Sequence, residues 1–309
     1  MNGSKTFHSG ERTVQIRAGE AAIADRNSTL ISDVVIGGAR PFIAKQFMVA
    51  LGSIDPYGNV WASLLFGKPG FMHTADGHAI DIDVPAQHRD AAEPFWTNIE
   101  GNHDVGMLFI ELGSRRRYRV NGTVTRQDAT GIQVGIREAY PNCPKYIHRR
   151  QLRALGDAGE HSQSASGTVL RGSVASLIHE ADTLFIASRH TEAGADASHR
   201  GGDKGFIHVV DEHTLRIPDY HGNSLFNTWG NLEVDPRAGL CIPDFTNGRL
   251  LQLTGTVAMQ WDQDDPGDDT GGTHRFLQFT VDHWVLRDAI PRAEWEYLDA
   301  SPFNPPVTP

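Results

Sequence analysis

The sequence predicts a mainly β chain with flanking helices, built as two tandem copies of one small barrel. Strand-length runs, apolar or alternating, recur along it and are separated by turn residues. Glycine is abundant, 32 of 309 residues, as a turn-rich β architecture requires. Two blocks recur in order at nearly one offset: residues 63–71 align with 198–206, and 106–124 align without a gap with 239–257. In the second block Arg116 falls on Arg249, and Gly122-Thr123-Val124 on Gly255-Thr256-Val257. Such a period is far too long for a solenoid. Each copy is expected to hold six or seven strands.

In chain order, residues 11–25 have helical spacing, with Val14, Ala18, Ala21 and Ala22 near one face. Pro41 suits the first turn of a short helix. Residues 46–52 and 60–65 read as a hairpin about the turn Asp55-Pro56-Tyr57-Gly58. Gly67-Lys68-Pro69-Gly70-Phe71 makes a corner, and 79–84 alternates apolar and acidic residues as a half-buried strand does. Residues 105–111 and 116–124 form a strand pair, and 132–139 a further strand. Two prolines stiffen the corner Asn142-Cys143-Pro144-Lys145, and the basic stretch 148–155 reads as helical. Residues 156–167 are small and polar, a linker between domains at 1–155 and 165–309. Ser173 is placed to cap a helix running to about Ala181, after which strands restart at 184–187, with Gly194 and Asp196 supplying a turn.

Composition narrows the function. With 39% hydrophobic and 21% charged residues the chain reads as a globular protein with real cores. A net charge of −10 argues against nonspecific binding of nucleic acid or anionic membranes, so any anion site must be a local basic pocket. Two distant cysteines, Cys143 and Cys241, make no disulfide framework, and the first dozen residues lack an apolar signal core; both fit a cytoplasmic protein. No run approaches the roughly 18 apolar residues of a membrane span. The 15 histidines are scattered, without His-Glu-x-x-His or Cys-x-x-Cys, which argues against zinc. Gly-x-Ser-x-Gly, a Walker loop and Gly-x-Gly-x-x-Gly are also missing.

The best anion corner is Ser198-His199-Arg200-Gly201-Gly202-Asp203-Lys204-Gly205-Phe206. Adjacent Gly201 and Gly202 allow the backbone to curl into a nest of N–H groups, and Arg200 and Lys204 offer a planar fork and a point charge to a phosphate. An ordinary turn with solvated charges is the alternative. The first copy has Leu64-Leu65-Phe66 in the place of His199-Arg200-Gly201, and an apolar trio binds no phosphate.

These residues, with Asp219-Tyr220-His221-Gly222-Asn223 and Asn227-Thr228-Trp229-Gly230-Asn231-Leu232, resemble the flavin-nucleotide-binding branch of the pyridoxamine 5′-phosphate oxidase-like family. The segments 235–240 and 249–255, the latter with Arg249 and Gln252, continue the resemblance, as do Gly122 and Asn142 to Ile147 in the first copy. It implies split β-barrels, with FMN held noncovalently where two barrels meet. In single-barrel relatives that interface is a homodimer's; here it could lie within one chain or across a dimer. Where the vitamin B6 oxidases carry an Arg-Lys pair this chain has Asn227-Thr228, which departs from true pyridoxamine phosphate oxidation.

The candidate FMN contacts are therefore His199, Arg200, Gly201, Gly202, Lys204, Asn223, Asn227, Thr228, Asn231, Arg249 and Gln252, with Lys145 offered from the first copy. Arg249 has a structural alternative, pairing with Asp244; the Asn-rich stretch has turn and cap chemistry, and Lys145 an inert boundary turn. Trp284 or Trp295 could cover a flavin face, although packing is the ordinary use of such residues. No residue declares itself a catalytic acid or base. Three functions stay open: an FMN-dependent oxidoreductase acting on a small molecule, a flavin-binding module without turnover, and a haem-binding barrel with His190 or His199 as axial ligand.

Overall fold

The computed structural model describes residues 7–157, 163–289 and 291–305. Helices α1 (Ser9–Arg17), α2 (Ala21–Asn27) and α3 (Arg40–Ala44) precede the first barrel. Its strands are β1 (Met48–Ile54), β2 (Val60–Phe66), β3 (Met72–His73), β4 (Ala79–Ile82), β5 (Asp104–Glu111), β6 (Arg116–Gln127) and β7 (Ile132–Asn142), with α4 (Pro94–Gly101) before β5. Strands β8 (Arg149–Leu155) and β9 (Ser164–Gly167) and helix α5 (Ser173–Glu180) lead to the second barrel. That barrel holds β10 (Thr183–His190), β11 (Gly194–Gly201), β12 (His208–Val209), β13 (Thr214–Pro218), α6 (Asn227–Val234), β14 (Arg237–Asp244), β15 (Arg249–Gln260) and β16 (Phe276–Asp288). Strand β17 (Ala293–Asp299) closes the series.

The two sheets share one antiparallel order. The first runs β2-β1-β5-β6-β7-β4-β3 and the second β11-β10-β14-β15-β16-β13-β12, so β1 corresponds to β10, β2 to β11, and so on through β7 and β16. The fold is two tandem split β-barrels with flanking helices. Each has its own core, and the period-2 alternation of the strands explains how a third apolar cluster forms between them. On β1, Val49 and Leu51 face the first core while Met48 and Ala50 face the other barrel. On β10, Leu184 and Ile186 face the second core while Phe185 and Ala187 face the first barrel. These strands are apolar on both faces because both faces are buried.

Glycine sets how closely the barrels approach. A Cβ on Gly106 would lie 2.4 Å from the Asp196 backbone, and one on Gly239 would lie 2.6 Å from the Trp61 backbone. Gly106 on β5 thus stands to β11 as Gly239 on β14 stands to β2, the mark of a pseudo-twofold arrangement.

Some expectations change. The basic stretch 148–155 is strand β8, paired antiparallel with β17, because a long-range partner overrides local helical spacing. The helical segment 11–25 breaks into α1 and α2 at Gly19, whose φ is +70°. Residues 164–167 of the expected linker form β9 on the edge of β16; residues 158–162 lie outside the described residues. Helix α1 packs on α6 of the second barrel, where a Cβ on Gly10 would meet the Gly230 carbonyl at 2.1 Å.

Candidate functional site

One cavity lies where the second barrel's β11 and α6 face the first barrel's β6 and β7. Its volume is about 110 Å³. Alternation on β6 points Arg117 and Arg119 the same way, into this space, and β11 contributes Ser198, His199, Arg200 and Gly201. The corner after β7 adds Asn142, Cys143 and Tyr146, and the segment entering α6 adds Asn223, Asn227, Thr228 and Trp229.

The site is built around three guanidinium groups. Arg119 is buried; its Nε lies 3.1 Å from Asp196, and it donates to Asn227 Oδ1 at 3.0 Å, to Tyr140 Oη at 3.0 Å and to Ser198 Oγ. Thr228 Oγ1 donates to the same Ser198 at 3.0 Å. Burial opposes the Arg119 charge, but Asp196 and Tyr140 outweigh it and raise its pKa. Arg200 faces Asp219 at a loose 3.8 Å, and Asp219 is already held by Arg275 at 3.0 Å. Burial is the main cause that lowers the Arg200 pKa.

Arg117 faces no carboxylate among the described residues. It donates to the Cys143 carbonyl at 2.9 Å and lies 3.4 Å from His199 Nδ1. Burial first, then Arg119 and Arg200, lower its pKa to about 10. Burial first, then Arg117 and Arg200, push the His199 pKa well below its ordinary value, so the imidazole is neutral. His199 Nε2, Asn142 Oδ1 and Trp229 Nε1 are buried without a hydrogen-bond partner among the described residues. Buried positive charge in excess, with polar atoms left unmade, is the chemistry of an anion site.

Of the sequence candidates, His199, Arg200, Gly201, Asn223, Asn227 and Thr228 line this cavity. Gly202 sits just beyond, its N–H donating to the Asp182 carbonyl at 3.2 Å. Neither Gly201 nor Gly202 has positive φ, so the expected backbone nest is not formed; their role is close packing. A Cβ on Gly201 would meet the Tyr146 carbonyl at 2.0 Å.

The other candidates point elsewhere. Lys204 pairs with Glu180 at 2.7 Å in solvent, and Arg249 pairs with Asp244 at 2.8 Å. Lys145 extends its Nζ over the Phe303 ring, 5.5 Å from the centroid. Gln252 belongs to the opposite side of the interface, donating to the Ala62 carbonyl at 2.9 Å. Trp284 donates to the Val169 carbonyl at 3.1 Å, and Trp295 packs between Phe47 and Phe245.

Asn231 lines a neighbouring, wider space with His8, Glu11, Asn121, Glu138 and His190. There His190 stacks on His8 with centroids 4.1 Å apart, and its Nδ1 accepts from the Glu192 and Ala193 N–H groups. Asn227 joins the two spaces by donating to Glu11 at 2.7 Å. Among the described residues no group of three or more His, Cys, Asp or Glu side chains is placed to hold a metal ion, and no helix is long and apolar enough to cross a membrane.

Arg117 and Arg119 were missed in the sequence. Their signal was the alternation Arg117-x-Arg119-x-Asn121, three polar side chains on one face of a strand whose repeat mates are Leu250, Gln252 and Thr254.

No family model matches the chain, and no curated protein matches it. Among solved structures, a pyridoxamine 5′-phosphate oxidase-related, FMN-binding protein of Nostoc punctiforme is similar at 14% identity, over 43% of this chain and 97% of that one, with a TM-score of 0.27. A Clostridium acetobutylicum protein related to general stress protein 26, of the pyridoxinephosphate oxidase family, is similar at 11% identity, over 40% and 91%, with a TM-score of 0.28. HutZ, the haem storage protein of Vibrio cholerae, is similar at 14% identity, over 44% and 99%, with a TM-score of 0.26. Solved structures that this chain resembles thus include an FMN-binding protein related to pyridoxamine 5′-phosphate oxidase, a protein of the pyridoxinephosphate oxidase family and a haem storage protein, each matching less than half of this chain.

Proposed function

We propose that the chain binds FMN with its phosphate among Arg117, Arg119 and Arg200, and acts as an FMN-dependent oxidoreductase on a small molecule. The observation that carries the phosphate end is Arg117, a guanidinium between two others with no carboxylate of its own. A phosphate monoester brings roughly 1.5–2 negative charges and three acceptor oxygens, which match that excess. Ser198, Thr228 and Asn142 add neutral polar groups around it, and the two barrels together wall off water.

The enclosed volume of about 110 Å³ takes the phosphate end of a nucleotide rather than a whole ligand, so the flavin ring rests on the resemblance of residues 198–232. Bound flavin supplies two-electron chemistry; the protein's part is to hold and orient it. Residues of both barrels of one chain line the phosphate end, which supports a site shared between the two barrels.

The test is ligand affinity in Arg117→Ala. FMN is expected to weaken by roughly ten- to a hundredfold, the loss of a charge-assisted bond, while riboflavin, which has no phosphate, is little changed. Equal weakening of both ligands would move Arg117 away from the phosphate.

A further inference from the structure

The pseudo-twofold relation gives the cavity of the guanidinium groups a counterpart on the other side of the barrel interface. Strand registers identify it residue by residue. Phe66 pairs with Met48 as Gly201 pairs with Thr183, so Leu64-Leu65-Phe66 stand where His199-Arg200-Gly201 stand. Asn142 pairs with Arg117, and Arg287 with Leu250, so Leu250 replaces Arg117 and Gln252 replaces Arg119.

The cations of the first site are thereby gone, and one new cation has arrived where Asn142 was. That residue, Arg287, is fully committed. Its Nη1 lies 3.0 Å from Asp90, it pairs with Glu93, and its Nε donates to Gln252 at 2.8 Å. Glu93 accepts in addition from Ser63 at 2.5 Å and from the Phe95 N–H at 3.1 Å.

What remains is a cavity of about 450 Å³, partly open to solvent, whose wall joins an apolar part (Leu64, Leu65, Phe66, Phe71, Trp96 and Leu155) to charged groups from Lys68, Asp83, Asp90, Glu93, Asp157 and Arg287. Among the described residues, none of the buried polar atoms without a partner belongs to its lining. Pockets for small molecules run to about 300–1,000 Å³, a range that includes this one. Four carboxylates, Asp83, Asp90, Glu93 and Asp157, against the two cations Lys68 and Arg287 around the space disfavour an anion. The apolar aromatic part of the wall, beside an Arg287 already paired with Asp90 and Glu93, favours an uncharged guest.

We propose that this second cavity binds an uncharged, largely apolar aromatic small molecule and excludes phosphorylated ligands.

The full chain would be titrated with N-phenyl-1-naphthylamine, a neutral fluorescent aromatic. Saturable binding near one probe per chain is expected, unaffected by inorganic phosphate. Leu65→Arg places a charge in the wall and should weaken the probe by at least about tenfold. Trp96→Phe is a mild change that keeps the wall aromatic; it should leave affinity nearly intact while lowering energy transfer from tryptophan to the bound probe, since Trp96 is the one tryptophan among the described residues of the lining. This second variant keeps the test decisive if Leu65→Arg does not fold. Absence of saturable binding, an unchanged affinity in folded Leu65→Arg, or unchanged energy transfer in Trp96→Phe would each overturn the proposal.

Discussion

Glu11 shows how far burial can move a single group. It is 5% exposed, held between the His8 N–H and the Asn227 amide, and burial first, then the Glu138 carboxylate, raise its pKa to about 8 from 4.5. A carboxyl that binds its proton more tightly when folded favours folding while protonated, so stability falls as pH rises from about 4.5 to about 8 and levels off above. Melting temperature should therefore drop between pH 6 and pH 8.5 in the wild type and drop less in Glu11→Gln. The difference between the two should grow by on the order of 2–4 kcal/mol across that window. Parallel curves would assign the dependence to other groups, of which Glu138, also raised by burial, is the nearest. Nothing in the sequence marked Glu11, because its environment comes from Asn227 and Glu138, which are remote from it in the chain. His199 and Arg200 were visible because a glycine pair and a repeat mismatch drew attention to them; the glycines turned out to serve packing rather than anion binding.

At the scale of elements, strands were legible wherever alternation or a short apolar run was bounded by turns, as for β1, β2, β5 and β6. Elements that depend on a distant partner were not. Strand β8 reads as helix until β17 is placed beside it, and β9 reads as linker until it is laid on β16. The glycines of β5 and β14 could be aligned by the repeat, yet only the structure shows that Gly106 and Gly239 are where the barrels touch backbone to backbone. A side chain at Gly239 has no space, with the Val60 carbonyl 2.5 Å from a Cβ. Gly239→Val should cost about 1–3 kcal/mol of stability through overpacking. It should also weaken ligand binding, because the barrels that wall the cavities would be pushed apart. Chemical denaturation measures the first effect and FMN titration the second; a variant with wild-type stability and affinity would show that the interface yields freely.

Across the whole molecule, two barrels of one strand order face each other as unlike halves of a pseudo-symmetric pair. The sequence foretold a mainly β chain of split barrels, and Leu64-Leu65-Phe66 was already visible as apolar. It did not foretell that Arg117 and Arg119 of β6 reach across the interface to finish the guanidinium cavity. The account's central claim is that the nucleotide belongs to the guanidinium cavity and not to its apolar counterpart. Titration of cofactor-free protein with FMN tests it most directly, read as the number and affinity of sites per chain. The expected result is one FMN per chain. Two sites of equal affinity, or none, would contradict it.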